Sequence, residues 1–358
     1  KGNFKKGKLP TIKTNSKGIA FADFDKDGDV DIFVGSNVKY AQYPLSDKPY
    51  FLENKNGKYI NVIDERFDDL SNLKIVNDAI FSDLDADGDQ DLIVVGEWMS
   101  VVFYENKENK FYQKEIEGVS NINGWYQTIT ASDLDKDGNV DYIIGNWGKN
   151  NKFHPTKEKP LHIYADYFDD NSSFDIALSK VSKTGDLLPV RGKECSTQQT
   201  PFLGNKVKTF KEFAASTMPQ IYGSDKLEKA THFQVHNFAS IILKNKGNGK
   251  FEVQELPNEA QFSPTLGIEV ADVNNDGFLD VFGVGNVYDS EVETIRYDAS
   301  KGYVLLGNKE GGFTFTNDTS YYNNKEAKTI KKIVIGGVLH FIILNKNNKL
   351  YILKVKEF

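Results

Sequence analysis

A nine-residue pattern recurs along this chain: acids at positions one, three, five and nine, and glycine at position six. It reads Asp23-Phe24-Asp25-Lys26-Asp27-Gly28-Asp29-Val30-Asp31, then Asp83-Leu84-Asp85-Ala86-Asp87-Gly88-Asp89-Gln90-Asp91. The third copy is Asp133-Leu134-Asp135-Lys136-Asp137-Gly138-Asn139-Val140-Asp141. The fourth, Asp272-Val273-Asn274-Asn275-Asp276-Gly277-Phe278-Leu279-Asp280, has Asn274 in place of the third acid. Short apolar and β-branched runs flank every copy, as in Gly18-Ile19-Ala20-Phe21-Ala22 before the first and Ile32-Phe33-Val34-Gly35 after it. Each unit therefore reads as strand, loop, strand. A repeated unit of this kind limits the fold more tightly than any single motif.

A second element trails the units: an apolar strand, an Asn/Gly turn and an aromatic strand, at residues 51–59, 103–111, 243–251 and 306–313. That is a hairpin. Two hairpins make a four-stranded sheet, and the loop starts at 23, 83 and 133 fall 60 and 50 residues apart. The expected fold class is all-β, a β-propeller of four-stranded blades with a short helical insertion. Seven blades are expected. Residues 161–189 make a blade with a decayed loop at 169–175, residues 231–256 another, and 330–355 a last one that is a strand short. Residues 2–9 would supply its missing strand and close the ring, so that 1–358 is one propeller. Residues 192–230 break the β pattern. There Thr209-Phe210-Lys211-Glu212 is a capping box opening a helix, and the segment covers a blade edge or meets a partner.

The loop chemistry points to calcium, which takes six to eight oxygen ligands. Asp23, Asp25, Asp27 and Asp31 supply carboxylates, and Asp29 a backbone carbonyl at position seven. The same holds for Asp83, Asp85, Asp87 and Asp91 with Asp89, and for Asp133, Asp135, Asp137 and Asp141 with Asn139. In the fourth copy Asp272, Asn274, Asp276 and Asp280 act with Phe278. Asp and Gly favour turns in any protein. Four carboxylates within a few ångströms nevertheless repel unless a cation sits among them. The absence of a Glu at position twelve and of flanking helices separates the loop from an EF-hand. About three to five Ca2+ ions per chain are expected, in a structural role.

Bulk properties agree with this. The net charge is −7, and 17 Asp residues fall within the four loops, which favours cations over nucleic acid. Cys195 is the single cysteine, so no intrachain disulfide forms and cysteine usage says nothing about an oxidising compartment. No apolar run is long enough for a transmembrane segment.

These residues resemble the FG-GAP/VCBS repeat family, calcium-loop propellers also found in integrin α-subunits. A narrower likeness is to VCBS-repeat surface proteins of Bacteroidetes that resemble cartilage acidic protein and carry ASPIC/UnbV-type segments. It rests on Val94-Val95-Gly96-Glu97-Trp98-Met99, Gly145-Asn146-Trp147-Gly148 and Arg191-Gly192-Lys193-Glu194-Cys195-Ser196-Thr197-Gln198-Gln199. Thr209-Phe210-Lys211-Glu212-Phe213-Ala214 and Gly285-Asn286-Val287-Tyr288 with the following 290–294 complete it. The resemblance implies an exported protein at the outer-membrane surface, associated with uptake complexes of the SusC/SusD type and with protein partners there. It implies no catalytic residues, and it implies that the chain is one domain of a longer protein.

A ligand site is sought among aromatics. Trp98 and Trp147 follow the glycine that ends a strand, and Trp125 and Tyr126 precede the next repeat. Clustered on one face they form a stacking platform for a glycan or peptide; packed between blades they are core. Arg191, Glu194, Gln198 and Gln199 cap the helical insertion or line a site at the axis, and Tyr288 joins the candidates. His232 and His236 stand four apart but in a strand pattern, which disfavours a shared metal. The reading is a non-enzymatic binding or scaffolding module. A calcium-dependent polysaccharide lyase would need a base beside an open cation, and a purely structural spacer would lack an aromatic cleft.

Overall fold

The computed structural model describes residues 7–169, 171–290, 294–346 and 350–355. Strands form where the loop flanks are β-branched and aromatic. The second strand of each unit, as in Asp-Ile-Phe-Val-Gly-Ser after the first loop, is buried along its whole length because sheets pack on both faces.

Strands β1 (Ser16–Ala22), β2 (Asp31–Ser36), β3 (Tyr50–Lys55) and β4 (Lys58–Asn61) form the first antiparallel sheet in that order. The second contains β5 (Ile75–Ser82), β6 (Asp91–Met99), β7 (Val102–Lys107) and β8 (Lys110–Lys114), with β9 (Gly124–Trp125) paired to the far end of β6. β10 (Thr128–Ser132) and β11 (Asp141–Gly145) open the third. The chain then leaves to build a separate sheet from β12 (Leu161–Asp166), β13 (Asp175–Val181), β14 (Leu187–Pro189) and β15 (Thr231–Val235), in the order β14-β13-β12-β15. It returns as β16 (Ile241–Asn245) and β17 (Phe251–Glu255), which complete the third sheet beside β11. β18 (Thr265–Ala271), β19 (Asp280–Gly285), β20 (Tyr303–Gly307) and β21 (Phe313–Phe315) make the fourth sheet of the series, and β22 (Ala327–Ile335), β23 (Val338–Asn345) and β24 (Tyr351–Lys354) the fifth.

Six antiparallel sheets therefore form among the described residues, none closed on itself, where seven blades were expected. Residues 161–189 and 231–256 are not two blades. β15 completes the excursion sheet, while β16 and β17 belong to the third. The reason is visible at Asp141, whose Oδ1 accepts the Asn245 amide at 2.8 Å. The same bond joins Asp31 to Asn54 at 2.7 Å and Asp91 to Asn106 at 2.8 Å. The loop thus recruits its third strand through a bond to a residue 104 positions further along the chain. Of the expected closing strand at 2–9, residues 1–6 lie outside the described residues and 7–9 form no strand. The helices at 192–230 are present as five short ones: Lys193–Gln199, Phe202–Lys206, Phe210–Ala215, Met218–Tyr222 and Ser224–Lys229. The Thr209 hydroxyl caps the third of these, accepting the Glu212 amide at 3.1 Å.

The sheets join through one loop position. Position two of each loop (Phe24, Leu84, Leu134 and Val273) is buried and enters the core shared with the next sheet in the series. Phe24 packs among Phe51 and Phe111, and the Asn106 side-chain amide of the second sheet holds its carbonyl at 3.0 Å. The first strands β1, β5, β10, β18 and β22 pack successively. Gly18, at φ +70°, allows β1 a close approach to β5: a Cβ there would lie 2.9 Å from the Asp78 backbone. Beside it the Lys17 ammonium reaches Asn77 and Gln127, tying three sheets together at 2.9 and 3.3 Å.

The excursion sheet is covered differently on its two faces. One packs on Trp98, Trp125 and Phe153, the other on the helices through Tyr164, Phe168 and Ala177. On the helix side His162 Nδ1 and His232 Nε2 lie 2.9 Å apart in nearly coplanar rings, and burial pushes the His162 imidazole down to about 4. His232 is thus partnered by His162 rather than by His236, whose Nδ1 accepts the Asn123 amide.

Leu84 tests the joint between the second and third sheets. Leu84→Ala is expected to cost about 2–5 kcal/mol in denaturant unfolding, whereas Tyr112→Ala, on an exposed strand face, should cost under about 0.5 kcal/mol.

Candidate functional site

Each acidic loop is curled by its own side chains. The position-one carboxylate accepts the amides of positions five and six: Asp27 and Gly28 onto Asp23 at 3.0 Å each, with the same pair of bonds at Asp83, Asp133 and Asp272. The position-five side chain then accepts the position-seven amide, as from Asp29 to Asp27 at 2.8 Å. Glycine at position six is required by conformation rather than space. Gly88 has φ +89°, and nothing lies within 4 Å of where its Cβ would be. Position four is also left-handed, at Lys26, Ala86, Lys136 and Asn275. Only Asn275 suits that region by residue type, so the sequence carried no general signal for it.

The position-nine aspartate is a joint as well as a candidate ligand. In all four loops its two oxygens accept two amides, one from position two and one from the third strand. For Asp91 these are Leu84 at 2.7 Å and Asn106 at 2.8 Å; for Asp280, Val273 at 2.8 Å and Gly307 at 2.9 Å.

Ligand atoms of Asp23, Asp25 and Asp27 lie within 4.8 Å of one another, as do those of Asp83, Asp85 and Asp91 and those of Asp133, Asp135 and Asp141. Burial pushes Asp91 up to about 7 and Asp31 up to about 6, with neighbouring loop carboxylates adding to the rise and the amide bonds opposing it. Asp25, Asp141 and Asp280 are raised for the same first reason. Each of these three groups of carboxylates could hold a metal ion. In the fourth loop the Asn274 side-chain amide donates to Asp276 at 2.8 Å, so an ion there requires Asn274 to turn its carbonyl inward. The loops lie side by side along one edge. Lys26 of the first pairs with Asp89 of the second at 2.5 Å, and Lys136 of the third donates to the Gly277 carbonyl of the fourth at 2.6 Å.

A second site lies at the opposite end of the strands. Trp98, Trp125 and Trp147 meet edge to face, with ring centroids 5.2 and 5.4 Å apart, and Tyr297 continues the row at 5.1 Å from Trp147. With Tyr43, Phe153, Ile176, Leu178 and Arg191 they line a cleft of about 220 Å³. Trp98 Nε1 donates to the Tyr43 hydroxyl at 2.6 Å, while Trp125 Nε1 and Trp147 Nε1 are buried without a partner. A larger recess of about 470 Å³, lined by Tyr322, Asn323, Asn324, Lys325, Asn345 and Tyr351, contains no tryptophan.

Four of the expected ligand residues (Trp98, Trp125, Trp147 and Arg191) therefore converge. Tyr126 does not: its ring is buried between the second and third sheets and its hydroxyl donates to the Ile122 carbonyl. Glu194 and Gln198 are exposed on a helix away from the cleft, while Gln199 accepts from Arg191 at 2.8 Å. Tyr288 bonds the Asn324 carbonyl and lies outside the cleft, beside the lining residues Val287 and Asp289. Tyr43, Phe153 and Tyr297 were missed; they sit in loops, where no periodicity marks a direction.

Asp25→Asn separates repulsion from ligation. In EDTA the melting temperature is expected to stay level or rise, because a raised carboxylate is neutralised; in millimolar calcium it should fall.

Residues 83–144 match the family model for the FG-GAP-like repeat. No curated protein matches the chain. Among solved structures, the V. cholerae biofilm matrix protein Bap1 is similar at 9% identity and a TM-score of 0.32, over 95% of this chain and 69% of that one. A GH43_1 enzyme from Xanthomonas citri follows at 8% and 0.34, over 93% and 82%. Sqt1 of Chaetomium thermophilum follows at 9% and 0.30, over 92% and 80%. Likenesses of this depth carry no argument about the chain. The repeat match bears on residues 83–144 directly: that stretch is an FG-GAP-like repeat.

Proposed function

We propose that the chain is a calcium-stabilised, non-enzymatic binding module that takes a glycan or peptide in the cleft between Trp98, Trp125 and Trp147. The observation that carries this reading is the meeting of three tryptophans in one cleft, two of them with buried indole N–H groups that have no partner. Trp147, half-buried, offers a ring to a hydroxyl- or carbonyl-bearing ligand, while Trp98 and Trp125 are buried in the core beside it. In this reading the five successive sheets are propeller blades. Each loop holds one Ca2+ through its position-one, -three, -five and -nine side chains and the carbonyl of Asp29, Asp89, Asn139 or Phe278. The ions fix the sheets and leave the opposite end for recognition.

Export to the cell surface, and protein partners in a surface complex, belong to the same proposal and rest on the family resemblance. No helix among the described residues is long and apolar enough to cross a membrane.

A lyase using a loop calcium is disfavoured by distance. Asp91 and Trp98 stand seven residues apart on β6, about 23 Å at strand rise. A loop ion therefore cannot act on a ligand stacked in the cleft. A spacer role would leave the cleft without a ligand.

The test is a binding screen of neutral and acidic polysaccharides and of peptides against the calcium-loaded chain. Trp147→Ala should weaken the ligand found by about tenfold, about 1.4 kcal/mol, with the melting temperature preserved to within a few degrees. Binding that is unaffected by Trp147→Ala moves the site elsewhere, and no ligand in either class favours the spacer.

A further inference from the structure

Five of the sheets pack in series, and every joint between them uses the same two positions. On the receiving side stands the residue four before the loop: Ala79 in the second sheet, Ile129 in the third and Ile268 in the fourth. Ile330 holds the matching place in the fifth. On the giving side stands a third-strand residue paired to the second strand: Phe51, Phe103, Ile242 and Val304 in sheets one to four. The two kinds share one core at each joint, Phe51 with Ala79, Phe103 with Ile129, Ile242 with Ile268 and Val304 with Ile330. None of the eight is more than 5% exposed.

The series leaves one position of each kind over. Ile19, four before the first loop, is 51% exposed, and Ile352, the corresponding third-strand residue of the fifth sheet, is 52% exposed. Each stands on an apolar face. Pairing puts Ile19 on one side of its sheet with Phe21, Ile32, Val34 and Leu52, and Phe21 is exposed too. The only apolar residue from outside that sheet in its cluster is Ile12, in the place that Leu73 takes within the first joint. Ile352 shares its face with Ile333, Ile342 and Leu344, of which Ile333 and Leu344 are exposed. The chain therefore has an unfilled receiving face on its first sheet and an unused giving face on its fifth. Among the described residues no other sheet enters the core on either face.

Charge points the same way. The described residues of the fifth sheet, 327–346 and 350–355, include five lysines (Lys328, Lys331, Lys332, Lys346 and Lys354) and neither an aspartate nor a glutamate. Lys354 is exposed and, paired with His340, lies on the giving face. The first sheet carries the five aspartates of its loop. At the joint between the first two sheets Asp89 takes Lys26 from the preceding sheet. The equivalent Asp29 accepts the Asn56 amide at 3.0 Å and no lysine among the described residues. A basic giving face and an acidic receiving sheet are thus complementary.

We propose that the fifth sheet of one copy packs on the first sheet of a second copy, continuing the series across a head-to-tail contact. What fits a receiving face is a giving face, and this chain carries one of each. Ile352 and Leu344 of one copy meet Ile19 and Phe21 of the other, and Lys354 stands toward the first loop as Lys26 stands toward Asp89. The contact is heterologous, so it closes into a ring of copies or runs on as a chain of them. It uses neither the tryptophan cleft nor the helices.

The test is sedimentation equilibrium of the full chain in millimolar calcium, from low to high micromolar concentration. The natural chain is expected to associate. Phe21→Lys and Ile352→Asp should each weaken association at least about tenfold, with melting temperatures preserved because both positions are exposed. Mixing the two variants should restore one contact, between the intact fifth sheet of the first and the intact first sheet of the second, and yield a two-copy species and nothing larger. Ile19→Lys and Leu344→Asp address the same two faces if either variant melts early. A natural chain that stays monomeric throughout overturns the proposal. So does association that survives both variants, and so does its loss in one variant alone, the mark of a like-with-like contact.

Discussion

Crowded carboxylates are the constraint on which the rest of this molecule depends. Three of the four loops bring three carboxylates within 4.8 Å of one another, and all four bury the last acid. Asp91 shows the conflict most clearly. Burial and its neighbours push it up to about 7, while two amides, from Leu84 and Asn106, hold it in place. Those two bonds tie the loop to its own second residue and to the third strand. The second residue is at the same time the apolar wedge into the next sheet. Loop, strand and sheet order are thus set at one point, and the proposed divalent cation would relieve the repulsion that the arrangement creates.

The two ends of the strands have consequently separated in character. One end gathers the acidic loops, linked to each other by Lys26 and Lys136. The other gathers Trp98, Trp125 and Trp147 with Tyr43 and Tyr297. The excursion between Gly145 and Ile241 crosses this second end. Its sheet closes over the tryptophans on one face and carries its helices on the other. The proposed recognition and calcium sites therefore lie at opposite ends of the strands.

Much of this was legible in the sequence because the signal is local. The four loops, the position-six glycines and the trailing hairpins depend on residues within a span of nine or so, and all are present. The blade count was not legible. Residues 161–189 and 231–256 have strand composition, but composition does not say that β16 pairs with β11 across the excursion or that β15 pairs with β12. The cue was the Asn245 amide, equivalent to those of Asn54 and Asn106, which becomes meaningful only once the position-nine aspartate is known to need it. In the cleft, Trp98 and Trp147, both expected just beyond a strand-ending glycine, meet Trp125. Tyr126, one residue beyond Trp125, turned into the core, because adjacent residues in extended chain face opposite sides. Glu194 and Gln198 were carried off by a helix whose docking angle no local pattern encodes.

The central claim is that calcium bound by the loops holds the sheets together, and thermal unfolding in millimolar calcium against excess EDTA, with metal content measured on the same sample, tests it most directly. Selective binding to the folded state predicts a large fall in melting temperature on chelation, together with several calcium ions per chain. An unchanged melting temperature with no bound calcium would contradict the account.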